Sequence, residues 1–276
     1  MNISMYTCYA LDQNFAHPVD AFSHFYKKGV RYADIVDDEL EKLPLHYYCD
    51  CLDEAGLIPG SLVSMLNIAD FNEEIKKKNL SILKGYIDQM EKIGIPLLMP
   101  APSVKPALCD DEFKEMHSLM IEALCELTEY ANGSGVKIAI ENQSSLSRPD
   151  SKLEDIIKIL NCVPELGFVF DTGNFFCVGE NALKSYEVLK KRIVHSHFKD
   201  WKPDPFGCYE RENILRFDGT TLGEGDMPLS EIITLLKRDN YDGNLVLEIN
   251  SPLITLEMLD RSAEFLQTEI NKVISI

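Results

Sequence analysis

Short apolar runs alternate with longer stretches of helical periodicity along the whole chain. Residues 3–8 read as a first strand, and 18–28 as a helix that Gly29 ends. Residues 30–36 read as a second strand, and 44–55 as a helix closed by Gly56. A third strand lies within 57–66, a long helix spans 72–93, and an apolar run at 95–99 follows Gly94. The helix over 110–132 ends at Gly133 and Gly135. The second half repeats the rhythm, with strands at 136–141, 168–171, 193–198 and 245–248 and helices at 151–160, 181–191, 228–238 and 254–270. Between 201 and 225 no periodicity stands out, and a long loop over the strand ends is expected there.

Eight strand–helix units in 276 residues, with no linker or low-complexity segment, define an α/β chain. Such alternation implies parallel strands joined by right-handed crossovers. Eight units favour a closed (β/α)8 TIM barrel, one domain over residues 1–276. An open doubly wound sheet is the alternative.

Composition narrows the classes. The chain is 45% hydrophobic, enough for one sizeable core. It has no apolar run of about 18 residues, so no membrane span is expected. The N-terminal residues lack the basic and apolar regions of a signal peptide, and a cytoplasmic protein is expected. A net charge of -18 opposes nucleic acid as a partner, since phosphates need a basic footprint. The eight cysteines include no C-x-x-C pair, and Cys49 and Cys51 share a helix. They read as free thiols, most of them small core residues.

The chemistry lies where the strands end. Four apolar strands finish in a side chain able to bind metal: Glu141, Asp171, His197 and Glu248. The C-terminal ends of barrel strands open on one face, which carries the active site. Three carboxylates and one imidazole meeting there would suit one divalent cation, Mn2+, Mg2+, Zn2+ or Co2+. Four unrelated caps or loop residues are the competing explanation. His195 and His197 share a strand face about 6.6 Å apart along the chain. His195 is the deeper of the two, so a supporting role is expected of it.

Glu141-Asn142-Gln143, Asp171-Thr172-Gly173-Asn174 and His195-Ser196-His197-Phe198-Lys199-Asp200 occur in this order. Leu222-Gly223-Glu224-Gly225-Asp226 and the run from Tyr241 to Glu248 follow them. Together they resemble the xylose isomerase-like TIM-barrel superfamily of sugar phosphate isomerases and epimerases, which also contains the endonuclease IV barrels. The likeness is close in the second half; the first half agrees mainly in its rhythm. It implies a (β/α)8 barrel, one divalent cation and a small sugar, polyol or keto-acid substrate. The metal positions fall on Glu141, Asp171, His197 and Glu248, and the two glutamates also move protons. Strands three and four carry no histidine, and Asn174 stands where many relatives have one. A three-zinc phosphodiesterase is therefore disfavoured.

The expected activity is a sugar or polyol isomerase or epimerase that transfers a proton through a metal-stabilised enediolate. A lyase of inosose or dehydroshikimate dehydratase type is the alternative on the same site. A catalytically silent sugar-binding barrel stands behind both. Asn174, Lys199, His195, Tyr6, Trp201 and Arg211 are the candidate substrate contacts, and Asp34 sits near the end of strand two. The Gly223–Asp226 stretch is expected to turn the chain and cap the helix after Pro228. The resemblance also allows a homo-oligomer.

Overall fold

The computed structural model describes residues 1–101, 109–211 and 215–274. Eight parallel strands close into a barrel: β1 (Asn2–Tyr6), β2 (Val30–Val36), β3 (Ile58–Ser64), β4 (Leu97–Pro100), β5 (Lys137–Glu141), β6 (Gly167–Asp171), β7 (Ile193–Phe198) and β8 (Asn244–Leu247). They stand around the barrel in chain order. Met5 of β1 lies beside Ala33 of β2 on one side and Leu247 of β8 on the other, which closes the ring. The open doubly wound alternative is thereby excluded.

Each strand is buried on both faces, which explains the nearly continuous apolar runs. Side chains alternate across the pleat, so one set points to the helices and the other into the barrel. Ile35, Leu62, Leu98, Ile140, Phe170, Phe198 and Leu247 pack outward into the main core with the helices. Val63, Leu97, Met99, Ala139, Val169 and Val246 form a separate cluster inside the ring with Tyr6. The connecting helices begin and end where local chemistry dictates. Asn72 caps Glu73–Ile93 by accepting from the backbone of Glu74 at 2.9 Å, and Gly94 ends it at φ 89°. Among the described residues no helix is long and apolar enough to cross a membrane.

Four expectations need correction. The first strand stops at Tyr6, and Thr7–Leu11 is a short helix containing Cys8. Thr7 turns inward there, donating to the carbonyl of Asp34 and to the Glu39 carboxylate. Glu248 falls one residue beyond β8, although its N–H still donates to Phe198 O at 3.0 Å and so extends the ladder. The expected long loop holds a three-stranded antiparallel sheet, Trp201–Pro203, Tyr209–Arg211 and Leu215–Gly219, with the last strand in the middle. Two of these strands have three residues, too few for alternation to register in the sequence. Trp201 and Phe217 bury one face of this sheet, with Tyr209 against them. Finally, all eight cysteines are free, but only Cys51 and Cys177 are buried; Cys109, Cys162 and Cys208 are exposed.

Two glycines test the packing in opposite directions. A Cβ at Gly219 would lie 2.4 Å from the carbonyl oxygen of Asn250, in the segment after β8. Gly219→Ala should destabilise by about 1–3 kcal/mol through overpacking. Gly85, inside Glu73–Ile93, has nothing within 4 Å of such a Cβ. Gly85→Ala should stabilise by about 0.5–1 kcal/mol. Thermal melts of the two variants should therefore move to opposite sides of the parent.

Candidate active site

The inward side chains of β5 to β8 carry the site. Two residues apart on each strand stand Ala139 and Glu141, Val169 and Asp171, His195 and His197, Val246 and Glu248. In each pair the outer member, toward the C-terminal end of the strand, is the polar ligand candidate. Glu141, Asp171, His197 and Glu248 bring one ligand atom each to within 4.8 Å of one another. The other side of the ring end is mostly apolar, formed by Tyr6, Val36, Val63 and Met99.

His197 is the hub. Its Nδ1 lies 2.6 Å from Glu141 Oε1 and 3.3 Å from Glu248 Oε2, so the two glutamates approach one nitrogen. The Tyr6 hydroxyl stands 3.3 Å from the same atom. Each glutamate has one oxygen anchored and the other turned to the centre. Gln143 Nε2 donates to Glu141 Oε2 at 2.9 Å, and Lys199 Nζ donates to Glu248 Oε1 at 2.8 Å. Asp171 is fixed by its turn: its Oδ1 accepts from the N–H groups of Gly173 and Asn174 at 2.8 and 2.6 Å.

Electrostatics follows from three carboxylates in a buried place. Burial alone would lower the pKa of His197, but Glu141 and Glu248 hold it well above the usual imidazole value. Burial likewise opposes the charge on Lys199, and Asp171 and Glu248 overcome it. Desolvation pushes Asp171 up to about 7 against the pull of Lys199. Desolvation acts on Glu248 too, yet Lys199 and His197 bring it down to about 2. Among the described residues Asp171 Oδ2 and Glu248 Oε2 are buried with no hydrogen-bond partner, although the Lys199 ammonium stands 3.2 Å from the former. Unpartnered carboxylate oxygens converging beside an imidazole are what a hard divalent cation requires. The residues present fit such an ion.

The other candidates divide. Lys199 is inside the cluster, bridging Asp171, Glu248 and Asn174 Oδ1 at 3.1 Å. Asn174 has both ends of its amide engaged within the protein, since its Nδ2 donates to Asn142 O at 2.9 Å. His195 lies deeper and pairs with Asp34, Nε2 to Oδ2 at 2.7 Å. Asp34 is inside the barrel, not at its rim; burial opposes its charge, but His195 holds it down at about 2. Trp201 is 1% exposed and donates its indole N–H to Gly173 O at 3.0 Å. Arg211 lies outside the ligand group, with its guanidinium over the Phe176 ring at 5.2 Å.

Supporting residues surround these. Asn142, which the sequence reading assigns to satisfying backbone groups, clamps β5 to β6, accepting from Asp171 N at 2.9 Å and donating to Asp171 O at 3.1 Å. Nothing in the sequence marks Gln143 as the anchor of Glu141. Asp200 accepts from the N–H groups of Trp201, Gly223, Gly225 and Met227 at 2.9–3.1 Å. The Gly223–Asp226 stretch thus wraps this carboxylate and does not cap the next helix, Leu229–Arg238, whose N-terminus has no side-chain cap. In the sequence Asp200 is marked only by following the His195–Lys199 run, and its partners lie 23, 25 and 27 residues further on.

Known proteins resemble this chain in sequence and fold. The sequence model of the family described as xylose isomerase-like TIM barrel matches residues 27–269. The inosose isomerase of Halalkalibacterium halodurans is 24% identical over 236 residues, 82% of this chain and 80% of its own. An inosose dehydratase of Clostridium botulinum is 29% identical over 146 residues, 49% of this chain and 47% of its own, so that alignment spans about half of each. Among crystal structures, the IOLI protein with a bound zinc atom superposes with a TM-score of 0.80 at 19% identity over 100% of both chains. The D-psicose 3-epimerase of Clostridium cellulolyticum H10, solved with D-tagatose, gives 0.78 at 15% identity over 99% of both. At such identities the superpositions speak for the fold. The family match runs through nearly all eight strand–helix units, and on it the chain belongs to the xylose isomerase-like TIM barrel family.

Proposed function

We propose that this protein is a divalent-metal-dependent isomerase or epimerase of a small sugar or polyol, with its active site at the C-terminal ends of one barrel domain. The observation that carries the reading is the pair of glutamates whose inner oxygens approach His197 Nδ1, each with its other oxygen anchored. Glu141, Asp171, His197 and Glu248 would hold the cation. The hard donor set suits Mn2+, Mg2+, Zn2+ or Co2+. Bound there, the ion would supply Lewis acidity to a substrate carbonyl and its neighbouring hydroxyl.

The chain's own residues do the rest. One glutamate takes the proton from the carbon beside the carbonyl, and the other returns one. Return to the opposite face of that carbon gives epimerisation; return to the former carbonyl carbon, with the proton of the neighbouring hydroxyl passing to the former carbonyl oxygen, gives isomerisation. Gln143 and Lys199 fix the carboxylate orientations, which a near-attack geometry requires. The Lys199 charge also offsets part of the triple negative charge that burial makes costly. Tyr6, at the edge of the cluster, is placed to meet a substrate oxygen, and the apolar side formed by Val36, Val63 and Met99 suits a sugar's C–H face. The names of the relatives, inosose isomerase and D-psicose 3-epimerase, support this substrate class. The matches to inosose dehydratases keep a second reading in view, in which a hydroxyl leaves after the same proton abstraction.

Removal of divalent ions with a chelator should abolish activity on a panel of keto-sugars and inososes, and Mn2+, Mg2+, Zn2+ or Co2+ should restore it. Undiminished turnover after chelation would defeat the metal reading. Glu248→Gln should lower kcat by about 10²–10⁴-fold, the usual worth of a positioned general acid–base; full activity in that variant would refute the two-carboxylate scheme. In deuterated water, an isomerase or epimerase should place deuterium beside the carbonyl without loss of water. An enone absorbing in the ultraviolet would select the dehydratase.

A further inference from the structure

Inside the barrel, one step below the site, the strands divide into two kinds. At these inner positions β4, β5, β6 and β8 carry Leu97, Ala139, Val169 and Val246, as a packed barrel interior does. β1, β2, β3 and β7 carry Ser4, Asp34, Ser61 and His195, all 3% exposed or less. The centre of this polar group is the Asp34 carboxylate. Its Oδ1 accepts from Ser4 Oγ at 2.6 Å; its Oδ2 accepts from Ser61 Oγ at 2.6 Å and lies 2.7 Å from His195 Nε2.

A carboxylate in a barrel core is expensive unless paired and hydrogen-bonded, and apolar residues fill the same positions elsewhere in this ring. What Asp34 faces explains its presence. His197 turns Nδ1 toward Glu141 and Glu248, and its other nitrogen, Nε2, is buried without a hydrogen-bond partner among the described residues. The nearest charge recorded to that nitrogen is Asp34 Oδ2 at 3.9 Å. Metal-binding histidines commonly direct the nitrogen away from the ion at a carboxylate, which sets the tautomer and the ring orientation.

We propose that Asp34 is a positioning residue for His197: its charge favours the proton on Nε2 and so presents the Nδ1 lone pair to the ligand cluster. The inference rests on the metal reading given above. Ser61 and His195 act through Asp34, holding Oδ2 so that it stays aimed at the imidazole, whereas Ser4 touches only the opposite oxygen. His195 is then an anchor of the anchor, without contact to the substrate. The same geometry admits a rival, since Asp34, His195 and His197 themselves form a group able to hold an ion. Three donors already on the Asp34 oxygens argue against it.

Zinc titration of the full chain against a chromophoric chelator, with a thermal melt of each metal-free protein, tests the proposal. Wild type should bind one zinc ion per chain. Asp34→Asn should weaken binding about 10–100-fold, the usual cost of losing such a partner. Ser4→Ala, which removes a hydrogen bond to the opposite oxygen and keeps the charge, should bind zinc like wild type even where its melting temperature falls. Equal affinity in wild type and Asp34→Asn overturns the proposal. Matched losses in both variants reduce Asp34 to packing and overturn it as well. Two zinc ions per chain would make Asp34 a ligand and do the same. A wild type that binds no divalent cation overturns both this inference and the metal reading beneath it. Where Asp34→Asn does not fold, nitrogen-15 spectra of the zinc-loaded wild type decide: a proton on His197 Nε2 with zinc at Nδ1 is expected, and the reverse assignment refutes the idea.

Discussion

Everything at this site depends on the two-residue period of a closed parallel strand. In a barrel each strand is buried on both faces, so alternation assigns one set of side chains to the helices and the other to the interior. Isoleucine, leucine and phenylalanine fill the outer set, where hydrophobic contact with the helices holds the ring together. The inner set is thereby released from stabilising the helix layer. Its last member on β5, β6, β7 and β8 can be a ligand because the member before it still packs or braces. A shift of one residue in any of these strands would turn its ligand into the helix layer.

The price of the arrangement is electrostatic. Three carboxylates share a place from which most water is excluded, and neither their pairwise repulsion nor their desolvation is screened. Two cationic groups answer this. His197 lies between Glu141 and Glu248, and Lys199 between Glu248 and Asp171. Both come from β7 and its immediate extension, two residues apart. The opposed directions of Asp171 and Glu248, one raised and one lowered, express how unevenly that compensation falls. Lys199 engages both, but Glu248 also has His197 beside it. A divalent ion in place of the proton on His197 Nδ1 would favour the ionised form of all three carboxylates, consistent with two of their oxygens lacking a hydrogen-bond partner among the described residues.

How much of this the sequence disclosed follows from the range of each interaction. The barrel was legible because eight apolar runs and the helices between them are local patterns. The four ligand candidates were legible because each closes an apolar run with a polar residue, and four such endings in succession are rare by chance. Asp34 was not: its partner His195 lies 161 positions away, and a strand aspartate looks like many others. Asp200 was not, because its partners are backbone N–H groups, which every residue has. Two of the three strands after β7 were hidden by their three-residue length. Trp201, expected among the substrate contacts, packs instead within that small sheet. A bulky aromatic next to a catalytic motif fits either place equally well until its neighbours are known.

The run from His195 to Trp201 shows how one strand can organise three levels of the site. His195 reaches down to Asp34, His197 faces the glutamates, and Lys199 bridges Asp171 and Glu248. Asp200, the next residue, points out of the cluster and gathers the backbone of residues 223–227, while Trp201 ties the small sheet to Gly173. Because Lys199 and Asp200 are adjacent, residues 223–227 and the charge beside Asp171 and Glu248 are held by neighbouring peptide units. Displacement of residues 223–227 would therefore pull on Lys199, and through it on the orientation of Glu248. The turn after the small sheet and the carboxylate cluster are thus tied to a single strand end.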